Sequence, residues 1–478
     1  MIFPTFGFAL FFLCVFVGFW YVFRRHRDRR LFLTAASYLF YAMWDWRFCF
    51  LLLASTSVNY GFGLLLGSNK DYRWRKLFMI LSACLNLLIL GFFKYYNFFA
   101  EELNALFSLS RHGGEGFLFP VLSVIMPVGI SFYTFKAMSY VFDVYLCKIP
   151  PCRSFLDLAL YISFFPQVAS GPIVHAVDFL PQIEGVCASG LEPGSKPIEF
   201  SRSSALLVSG LLKKLVCANF LSTLFVDPVL ADPASFSAIE NFLAAIGYSV
   251  VIYTDFSGYS DLAIAVALLL GFHTPANFNR PYISFSVTDF WRRWHISFSS
   301  WLRNYLYFSF GGSRFGLVRT LFALFFTMTL AGLWHGAALT FLVWGMMQGL
   351  ALVLERITNS GNTKSSVLWK SSLQITATFL FTTVGWMVFR ASTFQAVYTW
   401  ALSLTNFSVP ITLISPLVLC LIAVGLLMHA IPSWVRQRSM DIWIAIPLPL
   451  KGILLGLFMV LLSSLSMSAV APFIYFQF

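Results

Sequence analysis

The chain has 478 residues, 59% of them hydrophobic and only 11% charged, with a formal net charge of +12 and a mean hydropathy of +0.78. A soluble globular protein averages roughly 45–50% apolar and about 25% charged residues, so a soluble enzyme or binding module is excluded. The positive balance would suggest nucleic acid in a soluble protein, but the arginines fall in short loops between apolar runs, where orientation in a bilayer accounts for them, and no nucleic-acid role is expected. The eight cysteines include one close pair, Cys147 and Cys152, and no His or carboxylate cluster of zinc-binding spacing. They read as packing residues, and no metal is expected.

In chain order, residues 1–23 form an apolar run followed by Arg24, Arg25, Arg27, Arg29 and Arg30. A secretory signal carries its charge before the apolar run, so this is a first span with its N-terminus outside and its basic end inside. Leu31–Trp44 and Phe48–Gly67 read as a hairpin turning at Asp45-Trp46-Arg47, followed by an inner loop with Lys70, Arg73, Arg75 and Lys76. Leu77–Phe93 returns outward, and Phe117–Leu146, broken by Pro120 and Pro127, comes back in. From about 147 to 315 the pattern dissolves into apolar pieces interrupted by Pro, Gly and Ser, as in SFFPQVASGPIV (163–174) and IYTDFSGYSDLAIAVALLLGF (252–272). Irregular backbone at membrane depth survives only where protein buries it or it lines a cavity, so re-entrant segments around an internal funnel are expected. Ser372–Phe389, Ile411–Ile431 and Pro447–Leu465 complete the spans. The expected fold is an all-α polytopic integral membrane protein with about 10–12 transmembrane helices. It is read as a single domain over 1–478: N-terminal spans to 116, a catalytic core over 117–357, and C-terminal spans and tail over 358–478. The loop charges place both termini outside the cytoplasm.

The chemistry concentrates between Thr288 and Gln348. His335, in Trp334-His335-Gly336, lies far inside an apolar span, where an ionisable group is costly and is a candidate for function. A neutral imidazole is a natural general base near pH 7; the bland alternative is a buried histidine tied to a backbone carbonyl. His295 is a second candidate, in a basic aromatic segment where Trp291, Trp294, Phe298, Leu302 and Tyr305 recur at helical steps. That pattern predicts one helix lying in the membrane interface. Arg292, Arg293 and Arg303, with Asn304 beside the last, are either interfacial anchors or holders of a cytosolic cofactor's phosphates. Asp255 and Asp261 are read as structural hydrogen-bonding groups rather than a proton relay. No Walker loop, dinucleotide glycine motif or Ser-His-Asp set is present.

These stretches resemble the membrane-bound O-acyltransferase (MBOAT) family, specifically its bacterial alginate O-acetyltransferase membrane subunits and peptidoglycan O-acetyltransferases. The resemblance runs through PVGISFYTFKAMSYVFDVY (127–145), YTDFSGYSDLAIAVALLLGF (253–272), NFNRPYISFSVTDFWRRWHISFSSWLRNYLYFSFGGSR (277–314) and LAGLWHGAALTFLVWG (330–345). It implies an MBOAT-type helical ring around a central tunnel, His335 as the catalytic histidine and His295 as the family's other histidine. Acetyl-CoA is the implied donor. It further implies that Tyr475, in the tail FIYFQF, carries the acetyl on to a periplasmic SGNH-type transferase or esterase-like partner, which modifies a polysaccharide. The implied location is the bacterial cytoplasmic (inner) membrane. A transporter of an acylated small molecule or sugar, and an acyltransferase acting on teichoic acid or lipid, are the alternatives.

Overall fold

The computed structural model describes residues 3, 5–110, 119–188, 198–359 and 367–465; Tyr475 and the tail around it lie outside these residues. All regular elements among the described residues are helical. Contacts divide the chain into two units, Met1–Pro197 with Gly336–Ala338, and Ile198–His335 with Leu339–Phe478.

In the first unit, α1 (Phe6–Val17) continues as a π-helical turn over Gly18–Val22. Helices α2 (His26–Asp45) and α3 (Arg47–Ser68) meet at Trp46, the turn expected from sequence, where the Arg47 N–H donates to Asp45 at 3.0 Å. Helix α4 (Tyr72–Ser110) is longer than the span anticipated at 77–93. It is joined to α3 by a polar clamp in which Asn86 Nδ2 and Ser82 Oγ donate to Asn59 Oδ1 at 2.9 and 3.1 Å. Residues 120–128 are not helical, because Pro120 and Pro127 lack the N–H that a continuous helix needs. Helix α5 (Ile130–Tyr145) starts after Gly129, whose positive φ of 71° brings it against Val168; a Cβ there would sit 2.0 Å from the Val168 carbonyl oxygen. Then follow α6 (Phe155–Ser163), the short α7 (Phe165–Val168) and α8 (Ala176–Ala188). Every residue from 158 to 176 is buried, so this irregular segment is enclosed by protein, as a non-helical stretch at membrane depth requires.

In the second unit, α9 (Phe200–Ala231) contains π-helical turns at Leu212–Ala218 and Ser222–Val226. Helix α10 (Ala238–Leu269) opens on a capping box, with the Ser237 side chain accepting from the Glu240 N–H and Glu240 reaching back to the Ser237 N–H, which satisfies two otherwise orphan donors. Here the structure corrects the expectation of a re-entrant segment at 252–272: residues 252–269 lie inside one continuous helix, which ends just before Gly271. Its carboxylates are neutralised across the helix pair, Asp261 by Lys213 at 2.7 Å and Asp255 by Lys214, so charge does not force the chain out of the helix. Each aspartate thus has a lysine partner on the neighbouring helix.

The single interfacial helix expected over 291–305 is also corrected. It is α11 (Val287–Arg293), a corner at Trp294-His295, α12 (Ile296–Trp301), and a π-helical segment over Leu302–Tyr307. The corner arises because His295 takes a left-handed backbone, φ 42°. Next come α13 (Leu317–His335), α14 (Leu339–Thr358), α15 (Leu368–Arg390), α16 (Phe394–Ser403), α17 (Pro416–Leu427), α18 (Ser433–Ala445) and α19 (Leu448–Leu465).

Among the described residues, six helices are long and apolar enough to cross a membrane: α3, α4 over Tyr72–Asn104, α9, α13, α14 and α15. A seventh is added if α18 and α19, bent by 113°, count as one span. The chain is a multi-pass membrane protein. The further spans read from sequence correspond to shorter apolar helices (Phe6–Val22 and α17) or to helices with charges inside, such as Lys136 in α5.

Candidate active site

Helices α13 and α14 touch backbone to backbone. A Cβ on Gly332 would lie 2.3 Å from the Phe341 carbonyl oxygen, and one on Gly345 2.5 Å from that of Met328. No side chain can be accommodated at such distances, so the absence of one at both positions brings the two helices close. His335 ends α13 at the head of this pair. It is 5% exposed and His295 1%. Rings from four directions box the His335 imidazole: Trp334 at 4.9 Å, Trp344 at 5.3 Å, Phe389 at 5.1 Å and Phe298 at 5.6 Å between centroids. His295 packs on Phe256 at 4.6 Å and Phe298 at 5.0 Å. Because Phe298 also stacks on Trp334 at 4.4 Å, the two imidazoles share one aromatic pair. The structure thus brings the two sequence-predicted histidines to a common cluster from segments 40 residues apart in the chain.

Polar side chains hold the His295 corner. The Asn277 carbonyl accepts the Ile296 N–H at 2.9 Å, its side-chain oxygen accepts from Ser297 Oγ at 2.6 Å, and its amide donates to Ser260 on α10 at 3.1 Å. Burial pushes the His295 imidazole down to about 3, so it is neutral at physiological pH; a charged ring would lose its hydration there.

A cavity of about 530 Å³ opens beside this cluster, lined in part by Arg292, Arg303, Arg356, Glu355, Ser299 and Trp291, with Leu324, Thr327 and Met328 of α13 on one side. Arg293 and Asn304 do not line it; Arg293 turns to Asp289 at 2.9 Å. His335 is not among its lining residues either. It lies seven residues beyond Met328 along α13, roughly 10 Å at the helical rise of 1.5 Å per residue. The intervening wall is aromatic: Trp291 lines the cavity and packs on Trp344 at 5.8 Å, and Trp344 meets His335 edge-on.

Residues with no role in the sequence reading build this arrangement. Glu355 on α14 accepts the Val287 N–H at 2.6 Å, the Thr288 N–H at 2.8 Å and the Thr288 hydroxyl at 2.7 Å. A carboxylate on the free N–H groups of a helix start is a strong, charge-assisted cap. Two turns earlier on α14, Gln348 accepts the Trp291 indole N–H at 3.1 Å. Helix α11, which carries Arg292, is thereby fixed to α14 at two points, and α14 connects the cavity to the His335 cluster. The spacing of Gln348 and Glu355, which puts both on one helical face, was readable; their partners on α11 were not. Among the described residues, no group of three or more His, Cys, Asp or Glu side chains is placed to hold a metal ion.

Comparison with known proteins bears on this geometry. The model of a family described as MBOAT, membrane-bound O-acyltransferase, matches residues 152–397, a stretch that holds both histidines, the cavity arginines, Asn277 and Glu355. A probable alginate O-acetylase of Pseudomonas aeruginosa is 37% identical over 423 residues, covering 85% of this chain and 77% of its own length. A peptidoglycan O-acetyltransferase of Helicobacter pylori is 33% identical, covering 77% and 72%. A teichoic acid D-alanyltransferase of Bacillus subtilis is 27% identical over 58% of this chain and 71% of its own.

Proposed function

The chain belongs to the membrane-bound O-acyltransferase family and is a multi-pass membrane acyltransferase, and from that premise we propose that it moves acetyl from cytosolic acetyl-CoA across the bacterial inner membrane for O-acetylation of an exported or cell-envelope polysaccharide of the alginate or peptidoglycan type. The observation that carries the reading is the pairing of a histidine at the head of a backbone-packed helix pair with a neighbouring cavity bearing three guanidinium groups. The names of the relatives at 37% and 33% identity favour acetyl over the D-alanyl group named for the relative at 27%.

The cavity residues suit the donor. Arg292, Arg303 and Arg356 offer forked donors matched to phosphate oxygens, and Leu324 and Met328 give an apolar side suited to the less polar arm of the donor. We take these arginines as the phosphate-holding residues because they line the cavity, whereas Arg293 and Asn304 do not. Acetyl-CoA supplies the activated thioester. His335 takes the proton of an acceptor hydroxyl; that oxygen forms the new bond to the thioester carbonyl carbon, the carbon–sulfur bond breaks, and the proton returns to the leaving thiolate. A phenol titrates near 10, so an acceptor such as Tyr475 needs a base within hydrogen-bond reach. In this reading Tyr475, approaching from the extracytoplasmic side, carries the acetyl to an exported SGNH-type partner, and His295, held neutral, keeps the shared aromatic pair in place. Both termini face outward, as the loop charges suggest.

The test is the O-acetyl content of exported polysaccharide in a strain whose only copy carries His335→Ala. Transfer should fall by about 10²–10⁴-fold, the usual contribution of a general base, at unchanged protein level in the membrane. Wild-type acetylation would remove the catalytic assignment. Tyr475→Phe should bind acetyl-CoA yet fail to transfer; full acetylation in that variant would mean that acetyl passes directly to the partner or the sugar.

A further inference from the structure

A second cationic group forms on residues that do not line the cavity. Arg280, just before Pro281, holds a left-handed backbone with φ 50°, a conformation costly for a residue with a Cβ and maintained only where surroundings impose it. Its guanidinium Nη1 donates to the Ile431 carbonyl at 3.4 Å, immediately before the Pro432-Ser433 start of α18, whose first turn carries Arg436 with its N–H on the Pro432 carbonyl at 3.3 Å. On the other side, the Asn279 N–H donates to the Arg293 carbonyl at 2.9 Å. Three separate segments thus bring Arg280, Arg293 and Arg436 to one place. Burial lowers the affinity of the Arg280 guanidinium for its proton, and the charges of Arg436 and Arg293 act in the same direction. Asp289 offsets Arg293. Among the described residues no carboxylate pairs with Arg280 or Arg436, and the Arg280 Nε is buried without a hydrogen-bond partner.

A cluster of like charges with an unused buried donor is stable when an anion joins it. The surroundings indicate which anion. Helix α18 buries none of its residues and exposes Trp434, Ile442 and Ile444; it meets the apolar α19 at 113°. A helix with exposed Trp and Ile, interleaved arginines and a sharp bend into an apolar segment has the character of one lying in the headgroup layer. The abundant anion at that depth is lipid phosphate. A zwitterionic headgroup brings a cation of its own, so a net-negative phospholipid is the better complement to an excess of guanidinium. We propose that Arg280, Arg293 and Arg436 bind the headgroup of an anionic phospholipid, which fastens α18 to the loop and helix that lead into the His295 corner. This site does not depend on the identity of the acyl donor or acceptor.

The experiment titrates the purified full-length protein in detergent with phosphatidylglycerol or phosphatidylcholine and reads bound lipid by native mass spectrometry. Phosphatidylglycerol should be preferred, and Arg280→Gln combined with Arg436→Gln should reduce that preference about thirtyfold, in keeping with the loss of two surface cations. Arg202→Gln, whose partner is Glu199, should leave it intact. If the double variant does not fold, Arg436→Gln alone, on an exposed helix, is read the same way. A preference that survives in the variants overturns the proposal. So does displacement of phosphatidylglycerol by coenzyme A, or loss of coenzyme A binding in its place, since either would assign the cluster to the donor.

Discussion

The α13–α14 pair and the broken segment over 277–307 hold the two histidines by different means. At the pair, Gly332 and Gly345 let main chain meet main chain, and the position of His335 follows from the fit of two rigid helices. At the corner, the backbone adopts a left-handed residue and changes from α- to π-helical geometry within about two turns, and the conformation rests on Asn277, Glu355 and Gln348. Steric packing tolerates almost no change in volume but is indifferent to protonation. A corner held by polar bonds tolerates conservative changes and responds to charge. The histidine assigned to chemistry therefore sits on the stiffer element, and the one assigned to support on the element open to adjustment.

Substitution can break this contrast. Gly345→Val should have the largest effect, because the new side chain meets the Met328 carbonyl, a backbone atom that cannot rotate away. A destabilisation of about 3 kcal/mol is expected, read as a lower unfolding temperature in detergent together with lost transfer. A near-normal unfolding temperature would mean that the helices are not locked by backbone contact. Asn277→Ala should cost less, about 1–3 kcal/mol, since it removes the buried hydrogen bonds that Asn277 makes to Ser260 and Ser297; its signature is reduced activity with the α13–α14 pair still protected from hydrogen exchange. Glu355→Gln keeps the shape but weakens the charged cap on α11. The donor KM should rise roughly three- to tenfold with little change in kcat, as for loss of a contact made equally in ground and transition states; a change confined to kcat would place Glu355 in the chemistry instead.

A further effect sharpens the comparison through pH. The His295 imidazole titrates near 6.5 when exposed and is pushed down to about 3 in the fold. Protons are therefore taken up on unfolding, and the stability that depends on a neutral ring is fully present above about 6.5 and is lost progressively as pH falls toward 3. Thermal unfolding between pH 7 and 4.5 should show this slope, and His295→Gln should flatten it. An unchanged slope in the variant would trace acid sensitivity to other groups.

Composition and apolar run length alone determined that this chain lives in a membrane, because 11% charge cannot cover a soluble surface. The α2–α3 turn at Trp46 was legible from Asp45 and Arg47 flanking it, and His335 stood out because an imidazole inside an apolar run has few inexpensive explanations. The continuity of α10 was not legible: Asp255 and Asp261 look like interruptions until Lys213 and Lys214 meet them from another helix. Nor was the corner at His295, since aromatic periodicity runs through it while the left-handed residue is imposed by Asn277, 18 positions earlier. Likewise nothing local distinguishes Arg292 from Arg293, yet one faces the cavity and the other Asp289. Hydrophobic burial is written in single residues and their order, whereas ion pairs, caps and cavity walls need two distant segments at once, and only the folded chain supplies the second.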